Sequence, residues 1–329
     1  MTTMNPTTAA SAPAPRPAVH LDRESLVAFS RPAPGRLLLQ LVFEWACIVA
    51  VVAAALHLAN WPFSAACIFL IATRQHALLT LMHEFSHHQL SRRHLDWNDR
   101  VGDLFTAFPF FVTVHGFRRD HREHHKHVST EADPNWVSAT AKARYRFPMT
   151  RGRVLLEILK HCLGRYTASD LKQYTVDSGM SVGLPAATRR RQVLFYLAVA
   201  GLATWLHGWT VLLLYWVLPM FTFLIAILYV RDIAEHHGLP RQGLMGSRTV
   251  LPWGWDRLVF CQNGVNYHTE HHLYPSVPFF RLGRLHRRLM QDEGFRRAAV
   301  LTRGYLTGLL DEVSSKAGVD DAPQRTPTH

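Results

Sequence analysis

The chain has 329 residues, 48% of them apolar, yet its mean hydropathy is only −0.02. A mean that low excludes a bundle of membrane helices alone, because apolar spans must coexist with a sizeable polar portion. The formal charge of +12 suits anionic lipid surfaces and acidic partners. The basic residues gather beside apolar runs instead of forming one aromatic-studded stripe, which argues against nucleic acid. The four cysteines, Cys47, Cys67, Cys162 and Cys261, form no CxxC pair, so neither a zinc ribbon nor a disulfide framework is indicated.

In chain order, residues 1–30 open on a Thr-, Ala- and Pro-rich stretch and read as a disordered arm. A membrane domain is expected over 31–313, and 314–329 read as a flexible tail. Hydropathy places two helical hairpins in the domain, with spans at about 37–58 and 62–82, then at about 193–206 and 209–230. Arg74, Gln75 and His76 interrupt the second span, either by snorkelling or because the helix continues beyond the bilayer. Leu104 to Val114, rich in phenylalanine, is too short to span and reads as an interfacial or re-entrant segment.

Arg31 and Arg36 precede the first span, and Arg92 and Arg93 follow the second. Arg189, Arg190 and Arg191 precede the third, Arg231 follows the fourth, and neither hairpin turn holds Lys or Arg. By the positive-inside rule both termini and the middle segment are cytoplasmic. The expected architecture is an all-α, multi-pass integral membrane protein with a cytoplasmic helical cap, of bacterial inner-membrane type.

Eight histidines cluster in that cap: His83 and His87 in HEFSH, His121, His124 and His125 in HREHH, and His268, His271 and His272 in HTEHH. Spacings of three and four residues put side chains on one helix face. A metal ion takes about four to six ligands, so this number suggests two ions. Imidazole spacing alone accepts iron, zinc, copper or nickel. HEFSH also satisfies the HExxH pattern of a membrane zinc protease using His83-Glu84-His87, but that reading leaves two clusters unexplained. A metal transporter would instead place ionisable residues inside the spans.

The three boxes, their order and their placement after the second and fourth spans resemble the membrane fatty acid desaturase and hydroxylase superfamily. The resemblance runs from about Leu37 to Met290. It is most specific at HREHHKHVSTEADPNW (His121 to Trp136), RDIAEHHG (Arg231 to Gly238) and NYHTEHHLYPSVPFFRL (Asn266 to Leu282).

That resemblance implies two irons held by His83, His87, His121, His124, His125, His268, His271, His272 and one histidine after the fourth span, for which His236 is the best match. His88 and His237 leave the register open at two points. Related enzymes hold a metal-bound water with an asparagine where this chain has Asp232. Glu84, Asp120, Glu123, Glu235 and Glu270 are candidate partners for the second N–H of ligating imidazoles. Asp133-Pro134-Asn135-Trp136 is either part of a substrate entrance or a turn with a packing tryptophan. The remaining histidines, among them His57, His94, His115, His127, His161, His207 and His286, read as surface or packing residues.

The implied reaction is O2-dependent desaturation of an unactivated C–H pair in an acyl chain of a lipid, acyl-CoA or acyl-carrier-protein thioester. Hydroxylation or ketolation of a lipid or specialised metabolite is the alternative. No HPGG haem motif is fused, so electrons are expected from a separate ferredoxin, rubredoxin or cytochrome with its reductase. Arg281, Arg284, Arg287 and Arg288 form a basic patch suited to such a donor, an acyl carrier or anionic lipid.

Overall fold

The computed structural model describes residues 20–172, 182–239 and 246–314. Helix α1 (Pro34–Leu58) starts on a proline, which loses no hydrogen bond at the first helical position. Its buried side chains Leu37, Leu41, Glu44, Ile48 and Ala55 follow helical steps. The opposite face exposes Leu39 at 70% and Val49 at 64%, as a lipid-facing surface would.

Ala59, at φ 45°, turns the chain, and the Asn60 side chain accepts the Phe63 N–H at 2.9 Å to cap α2 (Trp61–Ser86). From Ile71 onward α2 is buried on nearly every side. Its polar interruption is turned to interior partners. Arg74 lies 3.1 Å from Glu44, and Gln75 donates to the Trp216 carbonyl at 2.8 Å. His76 sits 3.3 Å from the Val259 carbonyl. The helix thus continues past these residues to carry the first histidine box.

After α3 (Leu95–Gly102), the phenylalanine-rich stretch forms a π turn and a 3₁₀ turn, and Phe111 at φ 65° ends it. Its carbonyls are tied to long helices. Trp45 donates to Phe105 (3.1 Å), Tyr196 to Phe108 (3.1 Å) and Trp216 to Pro109 (3.2 Å). Thr113 then caps α4 (Val114–His127), accepting the Gly116 N–H at 3.0 Å.

Asp103, 1% exposed, begins this stretch. Its Oδ1 accepts the Val114 N–H at 2.8 Å, and burial pushes its carboxyl up to about 7 from an ordinary 3.8. The folded state therefore keeps a proton between about pH 4 and 7 that the unfolded chain has released. Stability falls as pH rises through that window and levels off above it. Asp103→Asn is expected to flatten this dependence and to raise the melting temperature at pH 8, read by thermal unfolding in detergent. A variant with the wild-type pH profile would contradict it.

Next come α5 (Pro134–Thr140), α6 (Arg151–Cys162), α7 (Ala186–Trp205) and α8 (Trp209–His236), the last containing π turns at Leu213–Val217 and Met220–Leu224. Among the described residues three helical runs are long and apolar enough to cross a membrane: Arg23–Leu58, which contains α1, together with α2 and α8. The span expected at 193–206 falls on α7 and does not qualify. At 1.5 Å per residue its apolar stretch covers only about 21 Å against a hydrocarbon core of about 30 Å, and three arginines precede it.

The all-helical expectation also lacked a short parallel pair, β1 (Arg248–Leu251) with β2 (Val300–Arg303), in the register Arg248 to Val300. Beyond β1 lie α9 (His268–Leu273) and α10 (Phe279–Leu289). On α10, Leu282, Leu285 and Leu289 face inward while Arg284, Arg287 and Arg288 are exposed. Arg281 instead donates to the carbonyls of Ala28 and Phe29, at 3.1 and 2.9 Å. That tie holds a helix at Arg23–Phe29, capped by Asp22, so the structured part reaches into the expected arm. Residues 1–19 and 315–329 lie outside the described residues.

Candidate metal centre

Four helix ends meet at one place. The last turn of α2 brings His83, and His87 caps it. α4 brings His121, His124 and His125, α8 ends on His236, and α9 brings His268, His271 and His272. The nine fall into two groups whose ligand atoms lie within 4.8 Å of one another: His83, His87, His121, His125 and His271, and then His124, His236, His268 and His272. α4 and α9 each serve both groups, because adjacent histidines point about 100° apart on a helix. His88, at φ 58°, and His237, stacked on Trp136 at 5.1 Å, lie outside both.

The donor atoms fit metal ions. His125 Nε2 lies 2.9 Å from His121 Nε2 and 3.0 Å from His271 Nε2. His268 Nε2 lies 2.8 Å from His236 Nε2 and 2.9 Å from His272 Nε2. One proton can bridge only one contact of each set, which leaves lone pairs facing each other unless a cation sits between them. Two nitrogens about 2.1 Å from one ion and at right angles to each other would be separated by about 3.0 Å. His87 Nε2 is buried with no hydrogen-bond partner. Burial and neighbouring imidazoles hold His121, His268, His271 and His272 well below the usual histidine range, and His125 at about 2. These imidazoles are neutral, the form that binds metal.

The outer contacts differ from those expected. Asp133 is the carboxylate that meets a grouped imidazole: its Oδ2 accepts from His124 Nδ1 at 3.0 Å. Its Oδ1 accepts the Asn135 and Trp136 N–H groups, capping α5. The Asp-Pro pair marked this cap in the sequence, but nothing there revealed the second oxygen's partner. Glu84 lies 3.7 Å from His83 and Glu235 3.6 Å from His268, both beyond hydrogen-bond range. Glu84 accepts the Phe279 N–H at 3.0 Å, and Glu235 accepts from Arg231 at 2.5 Å. Glu270 binds Thr249 (2.6 Å) and His286 (2.5 Å), a histidine expected to be a surface or packing residue. Glu123 is exposed, 3.7 Å from His127. His161 is buried against Tyr229, with ring centroids 4.1 Å apart.

The strand β1 and the residues before it brace the four-histidine group. Gly246 supplies the carbonyl for His236 Nδ1 (3.0 Å), and Ser247 bonds Thr269 (3.2 Å). Arg248, 1% exposed, donates through Nη1 to the carbonyls of Ile233, Ala234 and His237, at 3.3, 3.0 and 3.1 Å.

A cavity of about 250 Å³ adjoins His83, His121, His124, His236 and His268. Leu79, Met82, Phe110, Phe117, Met220 and Leu224 form its apolar wall, and Asp120, Asn135, Lys142, Asp170 and Asp232 contribute polar lining. Asp232 thus faces the cavity and belongs to neither histidine group.

Helices able to cross a membrane, joined to a nine-histidine cluster beside a part-apolar cavity, are the outline of a membrane-type oxidoreductase whose histidines could hold metal. The fatty acid desaturase family model matches residues 59–303, and the chain belongs to that family. The chain is 27% identical to dihydrorhizobitoxine desaturase of Bradyrhizobium elkanii over 86% of its own length and 84% of the relative's. It is 24% identical to the sn-1 acyl-lipid omega-3 desaturase (ferredoxin) of Nostoc sp. (strain 36), over 70% and 68%. It is also 24% identical to the omega-3 fatty acid desaturase, endoplasmic reticulum, of Nicotiana tabacum, over 76% and 70%. The protein is a desaturase-like enzyme. The protease alternative falls with this: its two histidines join a five-imidazole group, and its would-be base, Glu84, is turned to a backbone N–H.

Proposed function

We propose that the protein is an O2-dependent di-iron desaturase acting on an unactivated C–H/C–H pair of an acyl chain. The observation that carries this is the division of nine imidazoles into a group of five and a group of four, both opening on one part-apolar cavity. His83, His87, His121, His125 and His271 would hold one iron, and His124, His236, His268 and His272 the other. Two irons bound there supply the redox chemistry that couples O2 reduction to hydrogen removal.

The balance is one –CH2–CH2– unit, one O2, two electrons and two protons giving one –CH=CH– unit and two waters. The chain's own contribution is positioning. Leu79, Met82, Phe117 and Leu224 line the path of an aliphatic segment beside the imidazoles and displace water from it. Asp133 fixes the His124 tautomer so that its Nε2 faces the centre.

In this reading α7 pairs with α8 as a fourth, short membrane element, since it exposes Leu194, Leu197 and Leu202. The arginines flanking the helices put both termini and the histidines on the cytoplasmic side. Electrons arrive from a separate carrier with its reductase. A ferredoxin has support in the name of the Nostoc relative, and the exposed arginines of α10 suit an acidic donor.

Mass spectrometry of lipids and acyl metabolites, from cells expressing the wild type or His124→Ala with ferredoxin and reductase supplied, tests the reading. A wild-type-specific product lighter by two hydrogens is expected. A product gaining one oxygen would make the enzyme a hydroxylase and overturn desaturation.

A further inference from the structure

We propose that the chain oxidised at this centre carries a protonated amine, received by Asp120 and Asp232 on the polar wall of the cavity. The inference rests on the desaturase reading and adds its substrate class. Most charged side chains lining the cavity already have partners. Arg231 holds Glu235 at 2.5 Å, and Lys142 holds Asp170 at 3.2 Å, with Arg144 on the same carboxylate. Asp120 and Asp232 have no hydrogen bond or ion pair among the described residues, although both line the cavity.

Asp120 is 8% exposed. Its carboxylate lines the cavity and is met there by no side chain among the described residues. Nor does it brace the histidines. Asp133 does that for His124, Glu270 is bound by Thr249 and His286, and Glu84 by a backbone N–H. What remains for Asp120 is a cation that arrives with the ligand. An ammonium completes the wall, whereas a carboxylate or phosphate at the same place meets like charge.

Position links this charge to the chemistry. Asp120 directly precedes His121 of the five-histidine group, and Asp232 lies one helical turn before His236 of the four-histidine group. An amine held there shares one cavity with imidazoles of both groups. The ligand lays an aliphatic segment against the phenylalanine and leucine wall and its ammonium on the acidic one.

The test is ligand-observed NMR titration of the full-length, iron-loaded protein in detergent. The probe is butyltrimethylammonium, which cannot coordinate metal, with pentanoate and pentanol as comparators. The cation is expected to bind at least tenfold more tightly than either comparator. Asp120→Asn and Asp232→Asn are each expected to reduce that preference severalfold, with two irons per chain retained. Equal or tighter binding of pentanoate to the wild type would overturn the proposal, whether or not either variant folds. So would an Asp120→Asn protein that keeps the preference, or one that loses iron while keeping it, since its carboxylate would then balance the metal charge. Failure of the desaturase reading has a separate signature: a wild type that binds no iron pair or forms no unsaturated product.

Discussion

Replacing His271 by alanine is expected to abolish product formation, and replacing His272 should do the same while acting on the other histidine group. His271 belongs to the group of five, so its loss leaves four imidazoles. His272 belongs to the group of four, and its loss leaves three. Changes to residues that merely orient metal ligands already cost about 10–100-fold in affinity or activity, so loss of a ligand should exceed that range. Metal analysis should find about one ion per chain in His272→Ala, with the five-histidine ion retained. In His271→Ala the four remaining ligands hold the ion more weakly, and dialysis against a mild chelator should remove it faster than from wild type. Both variants should keep wild-type helix content and membrane insertion, because truncating an imidazole disturbs no backbone hydrogen bond. Wild-type turnover with full metal content in either variant would remove that histidine from the centre.

Much of this centre was legible in the sequence because its determinants are local. Three- and four-residue spacings announce shared helix faces, and all nine expected histidines are among those the fold brings together. Their division was not legible. Which of two adjacent imidazoles joins which group depends on the helices packed opposite, so His124 and His125 part company only in three dimensions.

Hydropathy found the long helices, and the weakest of its four spans falls on α7, whose apolar stretch is short and follows three arginines. It was silent on β1, because four residues with one buried arginine show no strand periodicity. The carboxylates interleaved with the boxes were conspicuous in the sequence. The one that reaches a grouped imidazole, Asp133, lay eight residues past the box in what read as a turn or entrance segment. Helix caps are readable from type and position. The second oxygen of a capping aspartate is free to do something that only the tertiary fold decides.

Arg248 shows what such reading misses, and Arg248→Met should expose its role. The last carbonyls of a helix have no intrahelical partner and carry the negative end of its dipole. At the end of α8 they are met from inside the protein: Arg248 reaches Ile233, Ala234 and His237 through one nitrogen and Gly238, at 3.4 Å, through another. Its Nε lies 3.2 Å from Glu312. The same segment accepts from His236 at Gly246 and bonds the third box at Thr269 and Glu270. One buried guanidinium thus ties the helix that ends in His236 to the strand that braces α9.

Methionine fills much of the space but donates nothing, leaving several carbonyls without their partner. Each buried carbonyl left unsatisfied costs about 1–3 kcal/mol, whereas Glu312 is exposed and keeps its bond from Thr302. The expected result is a clear drop in melting temperature, with metal lost from the four-histidine group while the five-histidine group keeps its ion. Arg248→Lys should recover part of the stability but less of the metal, because an ammonium cannot reproduce the planar fork. Metal stoichiometry and thermal unfolding, measured together on both variants, decide the matter. A destabilised Arg248→Met protein that still holds two ions would make the arginine a fastener of the fold alone, whereas selective loss of one ion would make it part of how the centre is positioned.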